Sequence, residues 1–215
     1  MLIDWKTSEK PINYEIAVKT METRVQDIIS GKANELIWFL EHPSLYTAGT
    51  SAKKQDLLNP NLLPIYKTGR GGSYTYHGPG QRIVYLMLNL SNRKSGSDLD
   101  LHQYIEKLEN WLIATLLNFG VKGEKRKNRV GIWVITPDGN EEKIAAIGIR
   151  VKRWVTFHGV SININPNLKN YDGIIACGVQ NFGITSLYEL GVDVEMREVD
   201  QVLKNEFNSH FSLNL

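Results

Sequence analysis

The chain has 215 residues, 42% hydrophobic and 22% charged, which excludes disordered, collagen-like and coiled-coil classes. Its 25 basic and 23 acidic residues leave a formal charge of +2, too even for bulk electrostatics to announce a nucleic-acid binder. One cysteine, Cys177, rules out an internal disulfide framework or a zinc site of Cys pairs. The first ten residues are too polar for a signal-peptide core, and the apolar runs at 36–40 and 83–88 are far shorter than the ~20 residues that cross a bilayer. The expectation is a cytoplasmic, enzyme-sized single domain over residues 1–215, with no role at a membrane or on nucleic acid.

Residues 12–29 carry Ile12, Ile16, Met21, Val25, Ile28 and Ile29 near helical spacing, between Pro11 and Gly31, and predict a helix. Residues 35–43 read as a buried strand stopped by Pro43. Residues 44–63 show little periodicity and read as a long, function-bearing loop, a suspected lid. Residues 73–76 and 82–90 are β-rich, separated by the turn chemistry of 77–80. Residues 91–100 are polar and turn-like, and Asp98 or Asp100 is placed to cap a helix with the stripe Leu101, Tyr104, Ile105, Leu108, Leu112 and Leu116, ended by Gly120. Residues 131–136, 143–151 and 154–164 read as three consecutive strands, 185–190 as a short helix, and 198–211 as a last amphipathic helix. Strict βαβ alternation is missing. The pattern therefore predicts an α/β fold of the α+β type, a mixed or antiparallel sheet flanked by helices.

Five features offer chemistry. Residues 70–81, RGGSYTYHGPGQ, set Arg70 and His77 beside glycines that allow close backbone approach; the bland alternative is a glycine-rich hairpin. Neither GxxxxGK[ST] nor GxGxxG is present there, so a phosphate cradle has no support. Lys143 opens the apolar run 143–149; it either snorkels at the surface or points inward, where burial makes it usable as a base or a site cation. Cys177 ends the apolar run before Gly178. It is either a buried small hydrophobe or a nucleophile whose thiolate a nearby ammonium would stabilise. No metal spacing appears among His42, His77, His102, His158 and His210; His42 and His158 suit a core or a site wall, and a Cys177–His158 dyad is chemically possible without support from spacing. The basic run 122–129 reads as a solvated loop, or as a face for an acidic partner.

Taken in order, residues 70–81, 143–165, 176–178 and 183–187, preceded by 35–51, resemble the lipoyl(octanoyl) transferase family over about residues 10–205. Ala176 stands where the family often has proline before its cysteine. The resemblance implies a fold related to biotin and lipoate protein ligases, and transfer of octanoyl from acyl carrier protein to a lysine of lipoyl domains. Those domains would belong to the E2 subunits of 2-oxoacid dehydrogenases and the glycine cleavage H protein. It implies a thioester on Cys177, a site lysine at Lys143 and no cofactor. The acyl pocket would be lined by Arg70, Gly71, Gly72, Ser73, Tyr74, Thr75, Tyr76 and His77, by Ala146, Ile147 and Gly148, and by Gly159, Val160 and Ser161. The alternatives are an ATP-dependent lipoate or biotin protein ligase, and a non-catalytic module that binds acyl groups or lipoyl domains.

Overall fold

The computed structural model describes residues 2–93, 100–176 and 182–211. Strands β1 (Ile3–Thr7), β2 (Glu35–Leu40), β6 (Gln81–Met87), β10 (Val155–Asn163), β9 (Glu141–Lys152), β8 (Arg129–Ile135) and β7 (Glu124–Arg126) lie side by side in that order. The short β11 (Gly183–Ile184) joins β9. The β1–β2 and β9–β11 pairs are parallel and the others antiparallel. A smaller sheet, β4 (Ile65–Lys67), β3 (Leu45–Ala48) and β5 (Tyr74–His77), stands apart from the first. The mixed sheet with flanking helices agrees with the sequence reading.

Each face of the large sheet is buried by a different layer. Helices α2 (Leu101–Leu117) and α3 (Met196–Phe211) cover one face, and Trp111, Leu112, Leu203 and Phe207 pack on Val84, Val160 and Ile162. Asp100, not the Asp98 alternative outside the described residues, caps α2 by accepting from the His102 amide at 2.8 Å. Helix α1 (Tyr14–Ile29) covers the other face through Ala17, Met21, Val25 and Ile28. Its buried stripe starts at Tyr14 and Ala17, and Ile16 of the expected stripe is 62% exposed. Asn13 caps α1, accepting from the amides of Glu15 and Ile16.

Several expectations are corrected. Residues 44–63 hold β3 and a 3-10 turn at Lys54–Asp56 rather than one loop. The expected helix over 185–190 is a single turn at 187–191: Leu190 donates back to Ser186 and Leu187, and Gly191, with φ 81°, ends it there. The basic run 122–129 contains β7, held by ion pairs to acidic neighbours: Arg126 pairs with Glu124 and Glu141, and Arg129 with Glu141. The glycine-rich segment is no hairpin: Gly78, Pro79 and Gly80 carry the chain from the small sheet, β5, into the large one, β6.

Candidate active site

Between the two sheets lies a cavity of about 150 Å³. Its bed is formed by β9 and β10, with β6 beside them. In the β9–β10 register Ser161 sits opposite Ala146, and Gly159 opposite Gly148. These four small residues line the cavity, while the alternate residues Ala145 and Ile162 fill the core on the other face. A sheet that alternates small and large in this way has a trough on one side and a packed core on the other. The strap 70–77 closes it. Thr75 and His77 of β5 line the cavity, and Arg70 lies across Gly148, where an added Cβ would stand 2.9 Å from Arg70 Cδ. The buried Arg70 guanidinium donates to Thr47 Oγ1, to the Thr47 carbonyl at 2.8 Å, to the Ser73 carbonyl at 3.0 Å and to the Gly71 carbonyl at 2.9 Å. These charge-assisted bonds fix the strap's shape.

Lys143 enters this trough through a β-bulge. Ile132 is opposite Ala145, yet Trp133 is opposite Lys143, so β9 carries one extra residue, Ile144. Ile144 and Ala145 both face the core, while Lys143 and Ala146 both face the cavity. Without the extra residue, strict alternation would turn Lys143 away from the Ala146 side. Its stem is 5% exposed, and Nζ donates to the Val130 carbonyl at 2.7 Å and stands 5.5 Å from the Trp133 ring centre. Glu109, which accepts from the Gly131 amide at 3.4 Å, is held above the usual carboxylate range by burial, with nearby charges including Lys143 pulling the other way.

The far wall of the cavity is polar but uncharged. Tyr14, His77, Tyr85 and His158 form it, backed by His42, whose Nε2 meets the Tyr85 hydroxyl at 2.7 Å. Burial is the main cause that takes His42 down to about 4 and both His77 and His158 down to about 3; the His42 ring and Arg70 contribute to the lowering at His77, and Arg70 and Arg150 to that at His158. Burial raises the Tyr85 phenol well above its ordinary range. His158 adopts φ 60°, a conformation that costs a non-glycine residue strain and tends to mark functional sites.

At the other end the trough narrows and opens outward. A neck of about 10 Å³ is lined by Thr75, Lys143, Ala146 and Ser161, which it shares with the cavity, and by Tyr171, Ala176 and Ile184. The last three also line an open groove of about 720 Å³ bordered by Leu58, Asp172 and Phe182. Cys177 and Gly178 lie outside the described residues. The chain leaves the description at Ala176 in the neck and returns at Phe182, whose ring packs 5.4 Å from Trp133 with the Arg129 guanidinium 4.1 Å above it. Ile184 then pairs with Lys143 itself.

Of the expected lining, Arg70, Gly72, Ser73, Tyr74, Thr75, His77, Ala146, Ile147, Gly148, Gly159, Val160 and Ser161 surround the cavity, with Lys143. Two lie elsewhere. Tyr76 faces the far side of β5, with its hydroxyl 3.0 Å from Asn170 Nδ2. Gly71 ties its amide to the Ile149 carbonyl at 3.0 Å. Sequence reasoning missed Tyr14, Ile83, Tyr85, Trp133 and residues 128–130 at the start of β8, all of which line the cavity. Ile83 and Tyr85 alternate on β6 toward the bed, a period-2 signal available in 82–90. Nothing local marks Tyr14 or residues 128–130.

The lipoyl protein ligase A/B catalytic domain family matches residues 13–208. The chain belongs to this family. Among curated relatives, a protein of Parvibaculum lavamentivorans named octanoyltransferase is 54% identical over 97% of this chain and 92% of its own length. An octanoyltransferase of Ehrlichia chaffeensis is 52% identical over 98% and 97%. Solved structures with the same fold include a bipartite lipoate protein ligase of Thermoplasma acidophilum, with TM-score 0.70 and 14% identity over 96% of this chain and 82% of that one. A lipoate-protein ligase A bound with ATP matches with TM-score 0.68 and 15% identity over 98% and 85%. These structural likenesses establish the lipoate-ligase fold.

Proposed function

We propose that this chain is an octanoyltransferase, an acyltransferase that moves an octanoyl group onto lipoyl-domain proteins for lipoylation. The donor is octanoyl-acyl carrier protein, and the acceptors are the E2 subunits of 2-oxoacid dehydrogenases and the glycine cleavage H protein, in the cytoplasm. Residues 1–215 act as one catalytic domain. The observation that carries the reading is the neck: Lys143 lines it together with Ala176, the residue immediately before Cys177, and it opens onto an acyl-sized trough.

The Cys177 thiolate attacks the donor's thioester carbonyl. The C–S bond to the carrier's thiol breaks, and that sulfur leaves with the proton of the Lys143 ammonium, so Lys143 enters the second step neutral. The octanoyl group is now on Cys177, its tail in the trough over Gly148 and Gly159. The ε-amine of the acceptor lysine attacks next; its N–C bond forms, the Cys177–acyl bond breaks, and the amine's proton passes to Lys143, which leaves an ammonium beside the Cys177 thiolate. Thioester for thioester is nearly isoenergetic and thioester to amide is downhill, so no nucleotide is needed. An ammonium at Lys143 about 4 Å from a thiolate, at an effective dielectric near 20, attracts it by about 4 kcal/mol before opposing terms, enough to favour ionisation. In the second step the same side chain serves as the base within reach of the attacking amine.

The test is transfer without ATP. Purified protein, octanoyl-acyl carrier protein and an unmodified lipoyl domain are expected to yield one octanoylated lysine, and Cys177→Ala to yield none. Product formed only from free octanoate plus ATP would instead identify a ligase.

A further inference from the structure

We infer that Tyr14, His77, Tyr85 and His158 form a chain-length stop that ends the trough about eight carbons from the neck. This rests on the acyl-transfer reading above and assigns the residues that set its tail selectivity. The sheet order β9–β10–β6 makes the trough run crosswise: from Lys143 on β9, over Gly159 and Ser161 on β10, to Ile83 and Tyr85 on β6. Two inter-strand spacings come to about 10 Å. An extended alkyl chain advances roughly 1.3 Å per bond, so about eight carbons fill that path. The volume sets an upper bound of the same kind, since a cavity of about 150 Å³ takes a small apolar ligand and not a long fatty tail.

The wall stops the tail by solvation as well as by shape. His42 Nδ1 meets the Ile12 carbonyl at 2.5 Å and its Nε2 meets Tyr85; His77 Nδ1 meets Gln81 Oε1 at 2.7 Å; Gln81 continues to Asn163 at 2.8 Å and to the Tyr171 hydroxyl at 3.0 Å. Further methylenes would have to part this network and leave buried polar groups unpaired. Tyr14 is the wall's loose stone: its buried hydroxyl stands beside Thr68 without good hydrogen-bond geometry to any described group.

Calorimetric titration with hexanoate, octanoate, decanoate and dodecanoate reads the wall without requiring transfer, so its outcome is separate from that of the transfer assay. Wild-type affinity is expected to rise about fourfold per methylene up to octanoate, then to fall at least tenfold by dodecanoate. His158→Gly, which opens the wall and suits φ 60°, and Tyr14→Ala, which breaks no network bond, are each expected to move the maximum to decanoate or beyond. Three results would overturn the inference. One is wild-type affinity that keeps rising through dodecanoate, another is no binding at any length, and the third is folded variants whose maximum stays at octanoate. If neither variant folds, the wild-type series decides.

Discussion

Gly131 and Lys143 occupy space that only a glycine can share: a Cβ on Gly131 would stand 2.9 Å from Lys143 Nζ and closer still to its Cε. Gly131 also holds φ 116° and follows Val130, whose carbonyl accepts from Nζ. The bulge on β9 aims the lysine inward, and the missing side chain on β8 leaves room for it.

Gly131→Ala is therefore expected to lower kcat at least tenfold, with donor KM within about twofold. Gly139→Ala is the control. Gly139 has a similarly left-handed φ of 86°, yet an added Cβ meets nothing within 4 Å, so it carries the backbone strain, on the order of 1–2 kcal/mol, without crowding the lysine. Steady-state kinetics on the two variants check this; equal losses would remove Gly131 from the positioning of Lys143.

Lys143→Ala is expected to lose most transfer and to move the pH at which iodoacetamide labels Cys177 upward. Lys143→Arg should not restore the labelling profile, since the planar guanidinium is wider than the ammonium and the Gly131 gap is already filled. An unchanged profile in Lys143→Ala would separate the lysine from the thiol.

How much of this site is readable from residues alone varies along the chain. The bed is legible: 146–149 and 159–163 alternate small and large, and the β9–β10 pairing brings the small members face to face. The direction of Lys143 is not, because one extra residue in β9 reverses its side and a bulge has no composition signal of its own. Helices α1, α2 and α3 announce themselves by period. Strand β1 does not, being five residues at the sheet edge, and β3 is four residues followed closely by Gly49. The passage from β5 to β6 looks like a hairpin because Gly78-Pro79-Gly80 is turn chemistry whichever sheet the chain enters next.

The buried histidines tie stability to pH. His42, His77 and His158 have folded values of about 4, 3 and 3, below the 6.5 of the unfolded chain. The unfolded state binds the extra protons, so stability is full above pH 6.5 and falls as pH drops toward those values. At pH 5 each histidine costs about 2 kcal/mol. Urea midpoints at pH 7.5 and pH 5.0 are expected to differ accordingly, and His158→Gly to flatten the dependence by about one proton. Midpoints equal at the two pH values would mean the three rings are protonated in the folded protein.

Arg82 on β6 and Asp200 on α3 form a buried two-point ion pair, 2.7 and 3.1 Å, that fastens the last helix beneath the site. Removing one partner leaves an uncompensated buried charge. Arg82→Ala is expected to cost about 3–5 kcal/mol, while Arg82→Met with Asp200→Leu should come close to wild type. Chemical denaturation of the three proteins reads this; a double variant as unstable as the single one would show that the pair does more than neutralise itself.

The central claim is a covalent intermediate at the residue that follows Ala176 in the neck. The protein is mixed with octanoyl-acyl carrier protein alone, with no acceptor, and its intact mass is recorded within one turnover. One octanoyl adduct is expected on the wild type, released by hydroxylamine and mapped to Cys177, with none on Cys177→Ala. An adduct that survives in Cys177→Ala, or an unmodified wild type that still transfers octanoyl to the lipoyl domain, would contradict the account.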